Sequence, residues 1–194
     1  MKIKTVLFCA AAASTFMLGA KELYPAGDFE GASIMPPLSV RKFVNDANNK
    51  RSKAPSGAVI EKIQSEKAVN GKQSLLLETK ANGIHELNLP HIKVTPGKKY
   101  KFSISYLIED AAPKFAIGGR LLQLRTQGKA SYIFMNGKIV KGKVMQLTKE
   151  FTAVENAKTL SVTIWINNGP YKLYIDDLRL TEVEENTPAS PAKK

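Results

Sequence analysis

The 194-residue chain holds one cysteine, one tryptophan and two histidines, and each scarcity closes a route. Cys9 stands inside an N-terminal apolar run, so a chain cut behind that run has neither a disulfide framework nor a thiolate metal site. Stability must then come from a packed core or from a bound ion. His85 and His91 have no third ligand at zinc spacing and read as surface or packing residues. No serine sits in a nucleophile elbow, and no glycine loop is built to cradle phosphate. The basic residues lack the aromatic interleaving of a nucleic-acid platform, which argues against nucleic acid as the partner. Together these gaps argue against a standalone enzyme.

What is present begins with Lys2 and Lys4, the apolar residues 6–13 and 16–18, and Gly19-Ala20 ahead of the charged Lys21-Glu22. This is the layout of a secretory signal peptide, too short to span a bilayer. Cleavage is expected after Ala20, to within a residue or two, because Leu18 is larger than the residue usually found three places before the cut. The mature protein would be secreted, periplasmic or held at the cell surface. Losing Lys2 and Lys4 takes the 29 basic residues to 27 against 17 acidic, a net charge of about +10. That excess either attracts an acidic polysaccharide or anionic envelope over distance, or simply keeps a surface of scattered lysines soluble. Residues 184–194 have the composition of a disordered tail, and residues 21–183 fit one domain with a real core.

Residues 159–180 organise the rest. Leu160, Val162, Ile164 and Ile166 alternate with Ser161, Thr163 and Trp165, the period of a half-buried strand. Asn167-Asn168-Gly169-Pro170 breaks the pattern and Leu173, Ile175 and Leu178 resume it, so a hairpin is expected. Asp176-Asp177 is out of place in its second strand, since strands are poor in carboxylates and a buried carboxylate needs a partner or a cation. Tyr100, Phe102, Ile104, Tyr106 and Ile108 alternate strictly behind the turn Thr95-Pro96-Gly97-Lys98 and read as a central, core-facing strand. Residues 58–65, 74–79, 84–94, 120–126, 132–135 and 144–151 supply further strands, with Pro90 interrupting one of them. Residues 34–56, rich in Pro, Asn, Lys and Ser, show no sustained period and read as a long loop. About eight to ten short strands without a convincing helix imply an all-β fold, a β-sandwich or jelly roll of two antiparallel sheets.

Four motifs carry a resemblance: Gly27-Asp28-Phe29-Glu30, Val69-Asn70-Gly71-Lys72-Gln73-Ser74-Leu75, Val94-Thr95-Pro96-Gly97-Lys98-Lys99-Tyr100-Lys101-Phe102-Ser103 and Leu173-Tyr174-Ile175-Asp176-Asp177-Leu178. In order and spacing they resemble the carbohydrate-binding modules with a galactose-binding-like jelly roll, in particular the xylan- and β-glucan-binding group of families 4, 9 and 22. The resemblance covers nearly the whole mature chain. It implies a structural calcium that ties the start of the domain to its last strand, and a glycan lying across a concave sheet or at the loop tips. Carried over residue by residue, Glu30 and Asp176 would be calcium ligands, with the backbone carbonyl of Lys72 a third. Such a mixture of carboxylate and carbonyl oxygens is what calcium takes. Read alone, Asp28, Glu30 and Asp176 could instead cap turns or pair with lysines.

Sugar rings dock their apolar faces on aromatic side chains while polar groups reach the hydroxyls. Trp165 opposes the core series in phase. It is either a platform, with Arg120, Gln123, Arg125 and Tyr132 as neighbours, or a packing residue beneath the 34–56 loop. In Glu109-Asp110 and Asp176-Asp177, adjacent strand residues face opposite sides, so neither doublet can flank one glycosidic bond. The expected function is a secreted, monomeric, non-catalytic carbohydrate-binding module for polysaccharides, acidic ones included. The alternatives are an envelope structural or adhesion protein that uses the same sandwich for protein contacts and, further off, a small jelly-roll polysaccharide lyase.

Overall fold

A computed structural model describes residues 21–24, 27–30, 38–46, 48, 50–125 and 130–183. The expected leader 1–20 and tail 184–194 lie outside the described residues. The alternating series become buried rows: Leu160, Val162, Ile164 and Ile166 are fully buried, as are Phe102, Ile104, Tyr106 and Ile108. Side chains two residues apart share a face of a strand, so β-branched and aromatic residues at every second position give two apolar faces that must meet.

Among the described residues there is no helix, and thirteen strands appear: β1 (Lys21–Glu22), β2 (Ser39–Asn45), β3 (Arg51–Lys53), β4 (Val59–Gln64), β5 (Ser74–Thr79), β6 (Gly83–Asn88), β7 (Ile92–Lys93), β8 (Lys99–Ala111), β9 (Ala116–Arg125), β10 (Ala130–Asn136), β11 (Val144–Thr152), β12 (Ala157–Asn167) and β13 (Tyr171–Val183). They form two antiparallel sheets, a jelly-roll β-sandwich. One has the order β11-β8-β13-β5-β4, with β1 on the end of β13. The other has the order β10-β9-β12-β6-β2-β3, with β7 beside β12. Their inner faces make one core that includes Tyr100, Phe102, Leu121, Val162, Tyr171 and Leu173. At the open edge polar groups also join the layers. His85 of β6 hydrogen-bonds the Tyr171 hydroxyl at 2.7 Å and the Ile60 carbonyl at 2.9 Å, and Lys42 of β2 pairs with Glu61 of β4 at 3.5 Å. Because only an N–H can face the carbonyl, His85 donates from Nε2 and accepts from Tyr171 at Nδ1.

Three expectations are corrected. Residues 159–180 are not a hairpin: β12 pairs with β9 and β6, whereas β13 pairs with β8 and β5. The turn between them carries the chain from one sheet to the other. Residues 34–56 are not one long loop, since β2 and β3 occupy the described part and β2 pairs with β6 from Ser39 to Val44. The period is blurred there because the strands lie at a sheet edge and expose polar side chains on both faces. Third, Asp176 and Asp177 do not obey strand alternation. The register of β13 against β8 shifts between Asp176 and Arg179, and Asp177 has φ 48°. At this β-bulge the core phase passes from Leu173 and Ile175 to Leu178 and Leu180.

Candidate functional site

With Leu160, Val162, Ile164 and Ile166 facing inward, Thr163, Trp165 and Asn167 must face out. Strand register then decides their neighbours. Trp165 stands between Gly118 of β9 and Glu86 of β6, and Thr163 stands between Arg120 of β9 and Asn88 of β6. Arg120 is paired on its other side with Phe134 of the edge strand β10. Phe134 and Tyr132 are 63% and 52% exposed. Their rings lie 6.3 Å apart and almost parallel at 11°, and the Trp165 indole follows at 6.4 Å from Phe134, tilted by 56°. Three aromatic rings thus form a continuous row on the outer face of this sheet.

Gly118 makes room for the row. A Cβ at that position would lie 3.0 Å from the Trp165 Nε1 and 2.7 Å from the Met135 carbonyl, so only glycine lets the indole lie across β9. The row borders a shallow groove of about 350 Å³ lined by Arg51, Glu86, Arg120, Phe134, Thr163, Trp165 and Asn167. On the far side Arg51 donates to Glu86 at 3.0 Å and Arg41 approaches the same oxygen at 3.8 Å. The Arg51 guanidinium also packs over the Phe43 ring at 3.8 Å. Apolar rings on one wall and fixed guanidinium, carboxylate and hydroxyl groups on the other can take the flat face of a sugar and its hydroxyls.

The structure brings Trp165, Tyr132 and Arg120 to this face. The described part of 34–56 flanks Trp165, with Arg51 in the groove wall. Gln123 is a correction. It shares the inward phase of Leu121, is fully buried, accepts the Val154 N–H at 2.8 Å and donates to the Thr152 carbonyl at 3.5 Å. Arg125 closes β9, and its side chain lies outside the described residues. Phe134, Glu86 and Arg51 were missed from the sequence. The i, i+2 relation of Tyr132 and Phe134 is the signal that finds the first, whereas the other two follow only from strand pairing.

A second cluster joins the two ends of the domain. Glu30 accepts the backbone N–H groups of Lys72 and Gln73 at 2.6 and 3.0 Å. Asp176 accepts those of Asn70 and Asp177 at 2.9 and 2.8 Å, and Asp177 takes the Asn70 side-chain amide at 2.8 Å. Gly27 lets the first segment touch the bulge: its carbonyl accepts the Leu178 N–H at 2.9 Å, and a Cβ on it would overlap the Leu178 carbonyl. Glu30 and Asp176 therefore clamp one turn, residues 70–73, from opposite chain ends. The pair of N–H donors holds the Glu30 carboxyl below its ordinary range. Asp176, only 1% exposed, is pushed up to about 6 by burial, against the pull of its two N–H donors, with the charges of Asp177 and Glu30 adding to the rise.

These donors fit a hard cation. Asp176 is a buried carboxylate with carboxylate neighbours and, among the described residues, no basic partner. The Oε1 of Gln73, a residue of the turn that Glu30 holds, is buried and, among the described residues, has no hydrogen-bond donor. Among the described residues no three His, Cys, Asp or Glu side chains converge as a ready-made metal cluster. A cation here would thus draw on amide and backbone oxygens as well, as calcium does. Lys72 touches Glu30 through its N–H.

No family model and no curated protein matches the chain. Solved structures do resemble it in fold. The CBM22-1 xylan-binding domain of Paenibacillus barcinonensis Xyn10C superposes with a TM-score of 0.55 at 13% identity, over 86% of this chain and 94% of that one. TmCBM61, solved in complex with β-1,4-galactotriose, gives 0.57 at 14% identity, over 84% and 99%. The enzymatically active domain of tailspike protein 4 of Bacteriophage CBA120 gives 0.61 at 13% identity over 84% of this chain. This chain spans 21% of that tailspike. At these identities the likeness establishes the fold: a jelly-roll β-sandwich of the kind found in carbohydrate-binding modules.

Proposed function

We propose that this protein is a secreted, non-catalytic carbohydrate-binding module that docks to polysaccharide through the outer face of the sheet β10-β9-β12-β6-β2. The observation that carries the reading is the solvent-facing row Tyr132, Phe134 and Trp165. Exposed aromatic rings in line cost free energy in water, and stacking against the C–H face of a pyranose recovers it. The groove beside the row supplies Arg120, Glu86, Arg51 and Asn167 for hydroxyls. Structural neighbours bind xylan and β-1,4-galactotriose, which supports a chain of sugars as the partner. The net positive charge favours acidic chains at long range.

In this reading Glu30, Asp176 and the Lys72 carbonyl hold a calcium ion, joined by Gln73 Oε1. The bound ion would neutralise the buried Asp176 and the facing Glu30, and so fasten the first and last segments to the turn 70–73. The leader would direct the protein out of the cytoplasm, and the sandwich would act as a monomer.

Affinity electrophoresis against neutral and acidic polysaccharides tests the docking surface. Retardation by at least one polymer, lost in Trp165→Ala and Phe134→Ala while both variants keep the wild-type melting temperature, is expected. Retardation that survives both substitutions would place the binding surface elsewhere, and ultraviolet-absorbing unsaturated products would mean lyase chemistry.

A further inference from the structure

We propose that Arg120 makes this groove selective for uronic acid residues, binding the sugar carboxylate while the ring stacks on Phe134. The inference rests on the reading of this face as a glycan-docking surface and adds the class of sugar to it. It begins with the pairing of charges. Among the described residues lining the groove, Glu86 is the single carboxylate. Glu86 is already engaged by Arg51 at 3.0 Å and by Arg41 at 3.8 Å. Arg120 lines the same groove, and among the described residues no acceptor or carboxylate lies within bonding distance of it. The face thus carries three guanidinium groups against one carboxylate.

The position of Arg120 selects among anions. Its cross-strand partners are Phe134 on one side and Thr163 on the other, so the guanidinium rises between the aromatic row and the polar floor. A pyranose stacked on Phe134 presents its equatorial substituents sideways, close to the plane of the ring. In a hexuronic acid one of these is the C5 carboxylate, planar and able to take two parallel N–H bonds from the guanidinium fork. A hexose offers only a hydroxymethyl group at that position, and a pentose offers nothing. The Thr163 hydroxyl is turned away from this contact, since it donates to Asn88 at 3.0 Å, which leaves Arg120 as the recognition group. Because the site is shallow and open to water, the selectivity should be moderate, about tenfold, the size of a single charge-assisted contact.

Matched polymers test this. Polygalacturonate, alginate and glucuronoxylan are each paired with their carboxyl-reduced forms, which keep the backbone and lose the charge, and dextran sulfate is included as a polyanion that carries sulfate and no carboxylate. Dissociation constants are measured for the wild type, Arg120→Gln, Trp165→Ala and Lys62→Gln, the last removing one positive charge from the opposite sheet. The expected result is that at least one polyuronate binds the wild type about tenfold more tightly than its reduced form. In Arg120→Gln the ratio falls to near one because binding of the polyuronate weakens about tenfold more than that of the reduced polymer, and in Lys62→Gln the ratio is unchanged. Equal binding of each matched pair, a ratio that persists in Arg120→Gln, or a preference for dextran sulfate would overturn the inference and leave the docking surface standing. Failure of every polymer to bind, or binding indifferent to Trp165→Ala, would overturn the docking surface and the inference together.

Discussion

Asp176 accepts the backbone N–H of Asn70 at 2.9 Å although 106 residues separate them. Glu30 holds the far end of the same turn, through the N–H groups of Lys72 and Gln73. The first and last segments of the domain are therefore fastened to one point between β4 and β5. Two carboxylates so close together repel unless a cation or a proton intervenes.

Calcium removal should lower the melting temperature reversibly. A ligand present at a hundred times its dissociation constant stabilises by about 2.7 kcal/mol, which for a domain of this size is about 5–10 °C. Differential scanning calorimetry with and without chelator checks the effect, and Asp176→Asn or Glu30→Gln should abolish it. A melting curve indifferent to both chelator and calcium would remove the ion from the account.

In ion-free protein two buried groups should pull stability in opposite directions with pH. Asp176, raised by burial to about 6, binds its proton more tightly folded than unfolded, so its contribution is present at low pH and lost as pH rises from about 4 to about 6. His85 is held down to about 4, mainly by burial, with the nearby Lys42 charge adding to the shift. It binds protons more weakly folded, so its contribution is lost as pH falls below the ordinary histidine range. Denaturant titrations of the wild type should therefore change little between about pH 4 and 6, while Asp176→Asn should gain stability steadily as pH rises. A flat profile in that variant contradicts the His85 assignment, and a wild-type profile that rises as steeply as the variant's contradicts the Asp176 assignment.

Gln123 should prove structural. Gln123→Leu keeps the volume but leaves the Val154 N–H without its acceptor, a loss of about 1–3 kcal/mol in stability. Glycan affinity should be unchanged in the folded variant. Urea denaturation and binding measured on one preparation separate the two effects, and lost affinity at full stability would return Gln123 to the binding face.

The sequence made the fold legible wherever strands are straight. From Tyr100 to Ile108 and from Leu160 to Ile166 strict alternation identifies the core side, and the same parity correctly turns Trp165 outward. It failed at Asp176-Asp177, where the bulge lets neighbouring carboxylates reach the same Asn70. In β9 the residues Leu121, Leu122 and Leu124 blur the period. Even so, Arg120 and Gln123, three residues apart, belong on opposite faces of a straight strand, and spacing alone separates them. Pairing partners are set by tertiary packing. The passage of β12 and β13 into different sheets, and the meeting of Glu86 with Arg51, therefore carry no local signal.

Gly118 should be as important to the aromatic row as the rings themselves. Gly118→Ala puts a methyl group against the Trp165 Nε1 and the Met135 carbonyl. The expected cost is about 1–3 kcal/mol from overpacking, together with weaker binding as the indole is displaced. Calorimetry and binding assays on the variant check both, and wild-type affinity in Gly118→Ala would show that the indole position is not critical.

Trp165 is the sole tryptophan of the chain, so its fluorescence reports on the proposed docking surface without interference. Titration with soluble oligosaccharides of whichever polymer retards the protein should produce a saturable shift of the emission, with a midpoint equal to the calorimetric dissociation constant and absent in Phe134→Ala. Calorimetric binding of the same oligosaccharide with no change in Trp165 emission would contradict the account.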